Sequence, residues 1–149
     1  MGDPSQSILN DTQVYLFKQG TNLVIVRCYS CWNVETAERM QADFLEAANN
    51  ISTRPWACLV DLLEWELGGP EVMDSILEIN HWCAKNNQRM EAVVCSSTIQ
   101  EHLLRQLQQA LPDTESAFFN REHDALKWLT SCLLSTSDAD DKHTTVYHL

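Results

Sequence analysis

The sequence predicts a single α/β domain in which helices cover a mixed sheet. Its element order is ββαβαβαβα, with an antiparallel N-terminal hairpin at one edge and four helices. Three observations carry this. Apolar, β-branched runs alternate with stretches whose apolar residues recur every three or four positions. The connections between them are short and hold Gly, Pro, Asn or Asp. A length of 149 residues with 44% hydrophobic residues is enough for one buried core, and no second domain or internal repeat is visible.

Residues 1–12 are polar and aperiodic and are expected to form a loose arm; the domain is expected to span 13–134. Gln13 to Phe17 alternate, Lys18-Gln19-Gly20-Thr21-Asn22 supply a turn, and Leu23 to Tyr29 form a β-branched run, so the two strands make a hairpin. Asn33 is an N-cap for a helix whose apolar face is Ala37, Met40, Phe44, Leu45 and Ala48, ended by Asn49-Asn50. Trp56-Ala57-Cys58-Leu59-Val60-Asp61-Leu62 is continuously apolar up to Asp61, as a strand covered on both faces requires. Pro70 sits in the first turn of a second helix, where its missing N–H is harmless. Val72, Ile76, Ile79 and Cys83 form that helix's inner stripe, opposite Asp74, Glu78, His81 and Lys85. Met90 to Cys95 make another interior strand. Ile99, Leu103, Leu107 and Leu111 line a third helix, ended by Pro112-Asp113, and Ser116 to Phe119 form a short last strand. Arg121 to Leu134 close the domain as a helix, and 135–149 are a polar, acidic tail expected to be mobile.

Ten Lys and Arg against 21 Asp and Glu leave a formal charge of −11. A surface this acidic repels phosphate backbones and offers no basic stripe, which argues against nucleic acid and anionic membranes. No apolar run approaches the ~18 to 20 residues of a membrane span, and the N-terminus lacks the pattern of a signal peptide. A cytoplasmic location is therefore expected. Six cysteines without an export signal are expected to be reduced thiols, and Cys28, Cys58, Cys83, Cys95 and Cys132 sit among apolar residues as small hydrophobes. Cys28 and Cys31 form a lone C-x-x-C whose members face opposite ways on a regular strand, so neither a metal nor a cofactor is expected. Phosphate-binding glycine loops and the G-x-S-x-G nucleophile motif are absent.

Three segments together suggest a family: Asn22-Leu23-Val24-Ile25-Val26, Cys31-Trp32-Asn33-Val34-Glu35-Thr36-Ala37-Glu38, and Arg54-Pro55-Trp56-Ala57-Cys58-Leu59-Val60-Asp61-Leu62. With the element order, they make the chain from Gln13 to Leu134 resemble the STAS domains, and within them the SpoIIAA-like bacterial proteins. The resemblance implies a non-catalytic regulatory or ligand-binding module. Members of the anti-sigma factor antagonist group carry a phosphorylatable Ser where the helix after the central strand begins. Here that position falls on Gly69-Pro70-Glu71-Val72, which has no hydroxyl. Met73-Asp74-Ser75-Ile76 comes about a turn too late, so Ser75 is expected to be a solvated residue and not a phosphorylation site.

The carboxyl end of a central parallel strand is where open α/β sheets bind ligands, and Asp61, Glu64 and Glu66 lie there. They are candidates for a general base, or simply solvated acids. Trp32 and Trp65 fall beside turns, where large aromatics either lid the core or anchor a partner. If they converge with Gly68-Gly69-Pro70, they form a partly apolar patch rimmed by Glu64, Glu66 and Glu71, suited to a protein with a basic surface. The reading adopted is a cytoplasmic, non-catalytic interaction module working through this surface, with a homodimer compatible. Two alternatives are a binder of a small apolar ligand or lipid, which requires a cavity of ~300 Å³ or more, and an enzyme using the loop acids.

Overall fold

The computed structural model describes residues 6–8, 15–20, 22–66 and 69–140, with side chains described outside 6–8, 16–19 and 133–140. Six strands, β1 (Gln6–Ile8), β2 (Tyr15–Gln19), β3 (Leu23–Cys31), β4 (Trp56–Glu66), β5 (Gln88–Val94) and β6 (Glu115–Phe119), form one sheet in sequential order. The helices are α1 (Val34–Asn49), α2 (Pro70–Lys85), α3 (Thr98–Leu107) and α4 (Glu122–Asp140), and a single 3₁₀ turn at Gln108–Ala110 extends α3.

The hairpin β2-β3 is antiparallel, and β3 to β6 are mutually parallel. Two sequence expectations change. The segment read as a loose arm contributes β1, which pairs antiparallel with β2, so the hairpin is flanked rather than terminal. The segment read as a tail is helical to Asp140; 141–149 lie outside the described residues.

Because β3 to β6 add in one direction, right-handed crossovers place α1, α2 and α3 on the same face. That face is built from Val24, Val26, Cys28, Trp56, Cys58 and Val93, capped by Ala37, Met40 and Phe44 of α1 and Ile79 and Cys83 of α2. α4 follows the last strand, is under no crossover constraint, and covers the opposite face of Leu23, Ile25, Ala57, Leu59 and Ala92 through Ala125 and Leu129. The caps follow the sequence: Asn33 accepts from Thr36 N at 2.8 Å, and Ser97 accepts from Ile99 N and Gln100 N.

β3 and β4 run farther than their apolar runs suggest. Arg27 pairs with Asp61 but Tyr29 pairs with Glu64, so β4 inserts one residue, a bulge around Leu62-Leu63. Asp61 Oδ1 accepts the Leu63 N–H at 3.0 Å, satisfying a donor that the bulge takes out of the ladder. The extra residue reverses the alternation, so Trp65 turns into the α1–α3 core. β5 ends opposite Asp61, and beyond it the buried Gln100 of α3 takes over, donating Nε2 to Trp65 O at 2.8 Å.

Trp65 is 4% exposed and Trp32 3%, their rings edge to face at 5.5 Å. They are lids on the core, which corrects the expectation that they form a docking patch. Ser75 is 6% exposed, again against expectation, because it falls on the buried stripe beside Val72 and Ile79. The core also holds a carboxyl: Glu91 of β5 is 8% exposed and bonded to Gln108 Nε2 at 2.8 Å. Burial pushes it from the usual 4.5 up to about 7, with Gln108 pulling the other way.

Three outcomes follow from this packing. Trp65→Ala should lower the unfolding free energy by about 3–5 kcal/mol in chemical denaturation, as expected for deleting a core Trp; a loss near zero would mean the ring is not a lid. Asp61→Asn, which keeps an oxygen for the exposed Leu63 N–H, should be more stable than Asp61→Ala by about 0.5–1.5 kcal/mol. Glu91 is protonated more readily folded than unfolded, so its stabilising contribution is complete below pH 4.5 and fades as pH rises through about 7. Glu91→Gln should therefore raise the melting temperature near pH 8, removing a penalty of up to about 3 kcal/mol, and leave it little changed near pH 4.

Candidate functional site

The carboxyl ends of β3, β4 and β5 form a rim at which the sequence-selected residues can be placed one by one. Cross-strand partners share a face. Asp61, Glu64 and Glu66 are paired with Arg27, Tyr29 and Cys31, so the bulge sets all three acids along the α4 side of the sheet. Strict alternation would have put Asp61 on the opposite side from the other two. Glu64 and Glu66 are exposed, whereas Asp61 is half-buried.

Asp61 belongs to a cluster that the sequence did not reveal. Arg27 donates Nε and Nη2 to Glu122 at 2.8 and 2.7 Å, a two-pronged pair joining β3 to the first turn of α4. Burial, then the hydrogen bond that the protonated Asp61 carboxyl donates to Glu122, push Asp61 up to about 6, opposed by the Leu63 N–H and by Arg27. Tyr29, next along the same face, is also raised, chiefly by burial. Nothing in the sequence near Arg27 hints at Glu122, which is 95 positions away. The cluster's geometry is that of a fastener: each carboxyl is committed to a backbone N–H, a guanidinium or the other.

The remaining selected residues separate. Gly69 and Pro70 are exposed where α2 begins, with Glu71 exposed in its first turn, and Gly68 lies outside the described residues. Gly69 gives α2 no side-chain cap. Trp32 and Trp65 meet, but inward. The sequence missed the apolar residues that do face outward: Val34 and Leu63, each 41% exposed, and Ile99, 64% exposed. Val34 stands immediately inside the Asn33 cap, before the α1 inner stripe begins, whereas Ile99, read from the sequence as part of the α3 inner stripe, faces outward because Gln100 and Leu104 take the buried side.

Thiol chemistry lacks support in the core. Cys28, Cys58, Cys83 and Cys95 are buried and all are pushed upward by burial, away from the reactive thiolate. Cys31 is exposed while Cys28 is buried, the opposite facing that a strand C-x-x-C implies. Among the described residues no group of three or more His, Cys, Asp or Glu could hold a metal ion. Between the sheet and α1–α3 lies a partly open cavity of about 70 Å³, too small for a lipid. No helix among the described residues is long and apolar enough to cross a membrane.

No protein-family model and no curated protein matches the chain. Solved structures do. An uncharacterised protein of the DUF3478 family with a SpoIIAA-like fold, from Shewanella loihica PV-4, is 19% identical with a TM-score of 0.62, covering 87% of this chain and 98% of that one. An anti-sigma factor antagonist from Mycobacterium paratuberculosis is 16% identical with a TM-score of 0.53, covering 78% of this chain and 92% of that one. The parallel four-strand block, its crossover helices and these two bacterial neighbours together give the chain a STAS-type, SpoIIAA-like fold.

Proposed function

We propose that the chain is a non-catalytic, cytoplasmic regulatory module that docks a basic protein surface on the rim formed by the carboxyl ends of β3, β4 and β5. One observation carries the reading. The large apolar side chains exposed among the described residues are Val34, Leu63 and Ile99, and all three stand at that rim. Val34 opens α1 just after β3, Leu63 is the bulge residue of β4, and Ile99 lies in the first turn of α3 just after β5. These strands are neighbours, about 4.8 Å apart, so the three residues cap adjacent strand ends. Exposed Glu35, Glu64, Glu66 and Glu71 surround them, giving apolar anchors within an acidic border.

Similarity to an anti-sigma factor antagonist favours a protein partner. The start of α2, Gly69-Pro70-Glu71, offers no hydroxyl to a kinase, and Glu71 provides a fixed negative charge there. Ser75 is buried, so it is not a substitute acceptor. The bound state of Asp61 in its cluster, and thiols raised away from reactivity, speak against catalysis. Free thiols fit a reducing compartment.

The decisive variant is Leu63→Asp with Ile99→Asp, which changes only exposed side chains. Capture of partners from lysate of the native cell should fall about 30-fold, the equivalent of ~2 kcal/mol, with the melting temperature nearly unchanged. Capture by the wild type should also weaken with added salt, because the border is acidic. Equal capture by variant and wild type would remove this surface from the function.

A further inference from the structure

A second polar cluster lies away from the rim, where β5 meets α2 and the 3₁₀ turn. Glu91, Gln108, Asn80 and Gln88 all line the 70 Å³ cavity. Glu91 is more than nine-tenths buried, yet its hydrogen-bond partner among the described residues is the neutral Gln108 amide, and none of the described ion pairs includes it. An unpaired carboxyl in an apolar wall is costly to keep, so its chemistry points to a ligand.

The orientation of the surrounding amides says which ligand. Asn80 Nδ2 donates to Leu107 O at 3.1 Å, and Gln88 Nε2 donates to Met90 O at 3.2 Å. A carbonyl oxygen accepts only donors, so both amides are fixed with their NH₂ groups on the backbone. Gln108 likewise commits Nε2 to Glu91. Left over beside Glu91 are its second oxygen, Asn80 Oδ1 and Gln88 Oε1 as acceptors and the second N–H of each amide as a donor, while the buried Trp65 Nε1 at the rim end of the same cavity is a further unpartnered donor. The rest of the wall nearby is apolar, with Cys58, Ile79, Cys83 and Val93.

Glu91 is the one carboxyl in the lining and no Lys, Arg or His stands beside it, so the ionised group, with the free amide oxygens, is complementary to a small cation. A primary ammonium has three N–H donors and no acceptor. With one water claiming about 30 Å³, the cavity has room for roughly two to four non-hydrogen atoms. We propose that the cavity is a binding site for a small primary ammonium, methyl- to propylammonium in size. Its N–H groups would meet Glu91, Asn80 and Gln88, and its carbon end would lie against Cys58, Ile79 and Val93.

Burial raises Glu91 toward neutrality, which suits a carboxyl that ionises when a cation arrives. The groups facing it are the Cys58 thiol of β4, the Cys83 thiol of α2, Gln108 of the 3₁₀ turn and, in register on β6, Ser116. Both thiols are raised and stay neutral, so ammonium binding should strengthen as pH rises through the Glu91 transition near 7. The ceiling on affinity per atom limits ethylammonium, with three non-hydrogen atoms, to a Kd no tighter than about 0.5 mM.

The test is a titration of the full chain with ethylammonium chloride near pH 8, at ionic strength held constant with NaCl, following the side-chain amide NMR signals of Asn80 and Gln88. Saturable shifts are expected, with ethanol, the uncharged molecule of equal size, binding at least about tenfold more weakly. Glu91→Gln should abolish the ammonium preference. Cys83→Leu, which fills the cavity without altering charge, should abolish binding altogether. No saturable shift at tens of millimolar, equal affinity for ethanol, or undiminished binding in either variant would overturn the proposal. Should a variant fail to fold, the wild-type comparison of ethylammonium with ethanol decides alone.

Discussion

The hydrogen bond from Leu63 N–H to Asp61 Oδ1 holds open a one-residue bulge in β4, and much of the rim depends on that single contact. A strand's side chains alternate with a period of two, so one extra residue exchanges the faces of everything that follows. Without the bulge Trp65 would project toward the α4 side and leave Trp32 without its edge-to-face partner. With it, the ring enters the α1–α3 core, and Glu64 and Glu66 join Asp61 on the other face. The cost falls on Asp61, half-buried and next to Glu122, and Arg27 offsets it from β3. The bulge, the charge cluster and the docking of α4 are thus one coupled unit.

The two faces of the sheet solve the burial of polar groups differently. On the α4 side the charges stay near the surface and are shared among Arg27, Asp61 and Glu122, so none is stranded. On the α1–α3 side the polar groups are mostly neutral amides, each spent on backbone carbonyls: Gln100 on Trp65 O, Asn80 on Leu107 O, Gln88 on Met90 O. They replace ladder bonds where strands stop or helices end, which is why they are buried at all. Glu91 is the exception, a carboxyl among amides, and that difference singles out its cavity. The rim and the cavity therefore carry separate readings, one for a large partner with apolar anchors and one for a small cation.

Much of the architecture was legible because it rests on local pattern. The apolar stripes of α1 and α2, the Asn33 cap and the continuous run from Trp56 to Val60 each report a period or a cap that neighbours in sequence determine. The candidate site was less legible. Acids at 61, 64 and 66 and aromatics at 32 and 65 marked the right end of the sheet, but not which way each residue faces. Ser75 illustrates the same limit: a hydroxyl near the start of a helix reads as solvated, yet its place on the Val72-Ile79 stripe buries it.

Sequence alone determined the alternation of strands and helices, the antiparallel β2-β3 hairpin, the acidic surface, the lack of a serine where α2 begins and the inert setting of most thiols. These follow from composition and from periodicities of 2 and 3.6, which need only near neighbours. Tertiary structure alone decided the bulge, the inward turn of Trp65, the meeting of Arg27 with Glu122 and the isolation of Glu91 among amides. Each of those depends on partners brought together from distant positions, 95 residues apart for Arg27 and Glu122, and no local pattern encodes which side chains the crossovers will place in reach.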